Sequence, residues 1–176
     1  MGSTTRPIME TFYLYDDRKL KCSLDTDAES APDGAPHYLT RHGYSIISNL
    51  FHPDKEFDVK ETEGILSNIY ENNYKISNVT DVFIDYQERF ELPEHNGMSL
   101  FIQIDTNSYQ PSSVNISSDC VNLSNNEALL FDRNRVCLSH QPVQSRYNLL
   151  GKLFNKLTFR KDDTFYRYIC IDYVKE

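Results

Sequence analysis

A chain of 176 residues with 18 Lys and Arg against 26 Asp and Glu, a net charge of -8, lacks the cationic surplus that nonspecific binding to a phosphate backbone requires. Hydrophobic content of 39 % and aromatic content of 12 %, from 12 Tyr and 10 Phe with no Trp, exclude a wholly disordered chain, and the length suffices for one core without a metal or disulfide staple. The four cysteines, Cys22, Cys120, Cys137 and Cys170, form no C-x-x-C pair, so free thiols are expected in place of a zinc knuckle or redox motif.

In chain order, Met1 to Pro7 reads as a frayed end, and Phe12 to Tyr15 with the turn-like Asp16-Asp17 fits a short strand that returns through Leu20 to Leu24. Residues 25–36, rich in Ala, Asp, Ser, Pro and Gly and without periodicity, are expected to form an exposed loop. Tyr44 to Phe51 opens the ordered body, and Asp58 to Asn72 carries Val59, Ile65, Leu66, Ile69 and Tyr70 at spacings that predict a helix. Short β-type runs follow at Asp81–Ile84, Ser99–Ile104, Val114–Ile116, Ala128–Phe131, Tyr147–Phe154 and Tyr166–Val174, separated by turn-prone clusters. Helix first and strands afterwards predict a single α+β domain over 1–176, with residues 1–10 and 25–36 flexible and an antiparallel sandwich or jelly roll as its core.

The densest basic stretch, Arg133 and Arg135 through Arg146, Lys152, Lys156, Arg160 and Lys161, is interrupted by apolar residues and reads as solvated positions, so no nucleic-acid partner is expected. With no leader-like segment and no apolar run long enough to span a bilayer, no membrane partner is expected either. A cytoplasmic location, extending to the nucleus, follows, and the sequons at Asn78, Asn115 and Asn122 are then chance matches.

Five histidines, His37, His42, His52, His95 and His140, are the candidates for metal or acid–base chemistry. His52-Pro53-Asp54 has the His-x-Asp form of a facial-triad iron site, but it precedes the predicted helix, where Asp54 can serve as a cap. Cys137 and His140 imitate a Cys/His nucleophile pair, yet three residues apart on a strand they face opposite sides, so acyl transfer is set aside.

The stretch Tyr86-Gln-Glu-Arg-Phe-Glu-Leu-Pro-Glu-His95-Asn-Gly97, followed by Met98 to Ile104, resembles the first metal-binding segment of prolyl-hydroxylase-type 2-oxoglutarate/iron(II) dioxygenases. Glu127 to Arg133, Val136 to Pro142 and Ser145-Arg146-Tyr147 resemble the second, and the likeness covers about residues 79–174. It implies a double-stranded β-helix with N-terminal helical support. Its metal ligands would be His95 and His140, Arg146 would grip the 2-oxoglutarate carboxylate through its planar fork, and Tyr86 would touch the co-substrate. The sequence departs from the pattern at Gly97, which stands where the iron-binding Asp belongs, and at Cys137, which takes the distal His position nine residues before Arg146. A halogenase branch of similar proteins has Gly at the carboxylate position, but it requires two intact histidines.

The degenerate metal segment, the Asn-, Asp- and Ile-rich composition and the closing Tyr166 to Asp172 strand are also similar to poxviral host-modulating proteins. That similarity implies no cofactor, with action by binding a protein partner such as a host prolyl hydroxylase or another host factor. The alternatives are an active oxygenase with Fe(II) and 2-oxoglutarate at a noncanonical site, a structural subunit of a larger assembly, and a β-sandwich without oxygenase ancestry. Whichever of these holds, Arg146 could instead be held by Asp132 or Glu127 as a plain salt bridge.

Overall fold

The computed structural model describes residues 43–47, 58–64, 73–124 and 127–176. The predicted Phe12 to Leu24 hairpin, the flexible segments 1–10 and 25–36, Cys22, His37, His42, His52 and Asp54 lie outside the described residues. The described elements are β1 (Tyr44–Ile47), a 3₁₀ turn (Val59–Thr62), β2 (Tyr74–Asp85), β3 (Phe90–Glu91), β4 (Met98–Thr106), β5 (Ser112–Ile116), β6 (Asp119–Leu123), β7 (Ala128–Asp132), β8 (Leu138–His140), α1 (Leu149–Leu157) and β9 (Phe165–Lys175).

The strands form a five-stranded sheet in the order β1-β7-β4-β9-β2 and a four-stranded sheet in the order β3-β8-β5-β6. Among the described residues every ladder is antiparallel, and a single parallel bridge joins Tyr86 to Val143. The chain is therefore an α+β, sheet-rich domain.

Side-chain alternation explains the strands that face one core. In β5, Ser112, Val114 and Ile116 are buried, and in β9 Tyr166, Tyr168 and Cys170 turn the same way. One hydrophobic cluster draws Val114, Ile116 and Leu138 from the smaller sheet and Val82, Ile84, Phe101 and Phe131 from the larger. Phe101 and Tyr168 stack at 4.4 Å within it. Each large apolar side chain buried in this way contributes about 1.5–3 kcal/mol.

Strands β4 and β7 are buried on successive residues because the larger sheet is covered on both faces: Leu100, Ile102, Leu130 and Ile171 are as buried as their inward neighbours. Tyr173 belongs to that second face, where its hydroxyl meets the Thr62 hydroxyl at 2.6 Å beside the 3₁₀ turn.

The expected runs at 81–84, 99–104, 114–116, 128–131 and 166–174 fall inside β2, β4, β5, β7 and β9. The predicted helix begins as the 3₁₀ turn, with the Asp58 side chain accepting from the Lys60 amide at 3.0 Å, and residues 65–72 lie outside the described residues. The strand expected over Tyr147–Phe154 is wrong: this segment enters and forms most of α1, capped by the Asn148 side chain on the Gly151 amide at 2.8 Å. Leu149, Leu150, Leu153, Phe154 and Leu157 have helical spacing around Lys152, Asn155 and Lys156, a period that the short apolar pairs Leu149-Leu150 and Leu153-Phe154 disguised. No described helix is long and apolar enough to cross a membrane.

Candidate functional site

β8 pairs with β3 on one side and β5 on the other, and this places His140 inside the domain at 4 % exposure, facing β9 of the opposite sheet. Its Nδ1 lies 2.5 Å from the Gln141 carbonyl oxygen and its Nε2 lies 2.6 Å from the Tyr168 hydroxyl. A carbonyl can only accept, so Nδ1 carries the proton and Nε2 accepts from Tyr168. Burial lowers the pKa of the imidazole, against the opposing pull of the Gln141 carbonyl, and burial likewise raises that of the Tyr168 hydroxyl. The pair is thus held neutral. Tyr166 flanks the imidazole at 5.7 Å between centroids and anchors its own hydroxyl on the Gln110 carbonyl at 2.8 Å. A cleft of about 290 Å³ opens here, lined by Gln110, Ser113, Cys120, His140, Gln141 and Tyr166 among others.

His95 precedes β4 and lies elsewhere. Its Nε2 is 3.4 Å from the Tyr173 carbonyl oxygen. Tyr168 and Tyr173, which mark the positions of the two histidines, are five residues apart on β9, about 17 Å of strand. The structure does not bring His95 and His140 to one point.

Gly97 has φ 124, and a Cβ there would stand 2.7 Å from the Tyr173 carbonyl oxygen. The glycine is required by the close approach of the β4 entry to β9, so an Asp cannot occupy this place without displacing the backbone. Cys137 is exposed ahead of β8, whereas His140 is buried, which keeps that pair apart as well.

Arg146 makes a two-pronged contact with Asp163, Nε to Oδ1 at 3.1 Å and one terminal nitrogen to Oδ2 at 3.0 Å. It also donates to the Tyr147 hydroxyl at 2.8 Å and stacks over that ring at 4.7 Å. The Tyr147 hydroxyl and the Asp163 carboxylate raise the guanidinium pKa, and the Tyr147 hydroxyl and the Arg146 guanidinium in turn hold Asp163 below the usual carboxylate range. The carboxylate that grips Arg146 is therefore Asp163, in place of the Asp132 or Glu127 suggested by sequence proximity. Tyr86 is half-buried, 3.3 Å from the Gln87 side-chain amide nitrogen.

Iron and 2-oxoglutarate do not fit these residues. Both nitrogens of His140 are engaged, the Gly97 position excludes a carboxylate, and Arg146 already holds one. Among the described residues no three His, Cys, Asp or Glu side chains gather as a metal-binding group.

A second polar cluster escaped sequence reading. Ser99 donates to Asp172 Oδ1 at 2.5 Å, and an Arg133 terminal nitrogen lies 3.2 Å from the same oxygen and 3.3 Å from the Ser99 hydroxyl. Both members of the ion pair are at least nine-tenths buried, and Arg133 also stacks over Phe131 at 5.8 Å. Cys170 lies 3.8 Å from the carboxylate, and burial pushes its thiol up to about 12. Ser99 and Asp172 are cross-strand partners far apart in sequence, so no local motif could announce them.

No family model and no curated protein matches the chain.

Proposed function

We propose that the chain is a non-catalytic domain of the prolyl-hydroxylase-like, double-stranded β-helix type that works by binding a protein partner in the cytoplasm or nucleus. What carries this reading is the engagement of His140, whose two ring nitrogens are taken by Gln141 and Tyr168 where an oxygenase would hold its metal. The clamp of Asp163 on Arg146 supports it, since the cation that would grip 2-oxoglutarate is neutralised within the chain. A host oxygen-sensing prolyl hydroxylase or an innate-immunity factor is the partner class that the resemblance suggests, and a viral modulator is the corresponding role.

Anaerobic calorimetry of the metal-stripped protein with manganese(II) or iron(II), with and without 2-oxoglutarate, tests the first half. The expected result is no saturable heat. Micromolar binding that disappears in His140→Ala and weakens in Arg146→Ala would overturn the reading in favour of an active oxygenase. The second half is tested by titrating purified host prolyl hydroxylase, where failure to bind removes that partner.

A further inference from the structure

Helix α1 is amphipathic in the reverse sense. Its half-buried residues are Gly151 and Asn155, and a Cβ on Gly151 would lie 3.1 Å from the Tyr147 side chain just ahead of the helix, so the small and polar side is the less exposed one. The apolar arc, Leu149, Leu150, Leu153, Phe154 and Leu157, faces outward, with Leu149 at 84 % and Leu157 at 70 % exposure. Phe159 adds a ring at 95 % exposure on a backbone with φ 56, a conformation that bulky residues rarely adopt. An apolar surface of this kind exceeds the scattered exposure of ordinary monomers.

The base of the helix is fastened. The Arg146 amide donates to the Thr164 hydroxyl at 2.9 Å, Ser145 bonds Asp162, and Arg146 grips Asp163, which closes residues 145–147 onto 162–164. The apolar arc is thus presented on a fixed stalk.

Charge identifies the occupant. From Asn148 to Lys161 there is no acidic residue, while Lys152, Lys156, Arg160 and Lys161 are present. Among the described residues none of the four forms an ion pair. Lys152 and Lys156 fall on one flank of the arc at helical spacing, and Arg160 lies over the Phe154 ring at 5.9 Å. A second copy related by a two-fold axis across antiparallel helices would set these cations against each other. Lysine stems flanking such an arc can reach from the acyl boundary to the headgroups.

We propose that α1 and Phe159 form a peripheral docking surface for an anionic lipid bilayer. The leucines and phenylalanines enter the acyl boundary, and Lys152, Lys156, Arg160 and Lys161 meet the headgroups. Lying on a bilayer differs from crossing one, and the expectation of no membrane partner rested on the lack of a spanning run. The overall charge of -8 does not forbid the contact, because screening at physiological salt limits each charge to about 8 Å and the local segment is cationic. This surface is separate from His140, so the proposal stands or falls independently of the non-catalytic reading.

The test is flotation of the full chain with vesicles of phosphatidylcholine alone or phosphatidylcholine mixed with phosphatidylserine. Binding is expected only to the mixed vesicles, weakening with added salt. Lys156→Ala should weaken it about fivefold and Leu153→Glu should abolish it, with unchanged circular dichroism in both variants because both side chains are exposed. Equal binding to both vesicle types, or binding retained by Leu153→Glu, would overturn the proposal. So would absence of vesicle binding, including the case of a wild-type dimer that Leu153→Glu converts to monomer, which would assign the arc to self-association.

Discussion

Tyr168 donates its hydroxyl hydrogen to Nε2 of His140 at 2.6 Å, from the five-stranded sheet to the four-stranded one. Both side chains are buried, and the bond is one of the polar ties between the two layers, beside Ser112 to Gln103 and Tyr44 to Asp119, each at 2.6 Å. Tyr168→Phe removes the donor and leaves the imidazole nitrogen without it, an expected loss of about 1–3 kcal/mol. Urea unfolding of the variant beside the wild type measures this; an unchanged midpoint would mean that the bond contributes nothing net.

The same pair sets a pH dependence. His140 resists protonation when folded, so the unfolded chain takes up a proton more readily, and the contribution of this residue is full above about pH 6.5 and lost as the pH falls below it. Tyr168 has the opposite edge: its raised pKa keeps its contribution full below about pH 10 and erodes it above. Asp81, Asp162 and Asp163, all lowered, add their losses only as the pH falls below about 3.8. Unfolding midpoints from about pH 7 to about pH 5 should therefore fall in the wild type and fall less steeply in His140→Gln. Parallel slopes would show that His140 is not the responsible group.

Gly97→Asp restores the residue type that an iron site needs but not the site. With φ 124 and a Cβ 2.7 Å from the Tyr173 carbonyl, the substitution should cost about 2 kcal/mol or more and confer no metal affinity. Thermal unfolding and manganese(II) calorimetry on one preparation decide it, and a stable, metal-binding variant would contradict the structure.

Arg133→Met strands a buried Asp172 carboxylate, for which the expected loss is about 3–5 kcal/mol. Pairing it with Asp172→Leu should recover much of that loss, since an ion pair replaced by apolar groups no longer requires charge compensation. A double-mutant cycle in urea gives the coupling, and additive losses would show that the two charges act separately.

The strands were legible where burial leaves a pattern. The alternation of β5 and of the first half of β9, and the apolar stretches over residues 100–102 of β4 and 128–131 of β7, each carry their environment in composition. The two-residue β3 and three-residue β8 are too short to show a period, and β6, Asp-Cys-Val-Asn-Leu, sits among turn-formers. Helix α1 was misread because its apolar face points to solvent, so the apolar run that marked it as a buried strand had another cause. The singled-out residues were real features, but their partners were not visible: Asp163 for Arg146 and Tyr168 for His140 lie 17 and 28 residues away. Nothing near Gly97 in sequence indicates that the Tyr173 carbonyl presses against it.

Strand β9 pairs with β4 on one edge and β2 on the other, and among the described residues β2 has no other ladder. The Arg167–Asp81 contact across that seam joins residues 86 positions apart. Such a contact forms only after a wide loop has closed, an entropic cost met before the contact can contribute. Until β9 is seated, the edge of β4 holding Leu100, Phe101 and Ile102 is an open template for a neighbouring chain, and the speed of that one insertion governs how much protein survives its own refolding at high concentration.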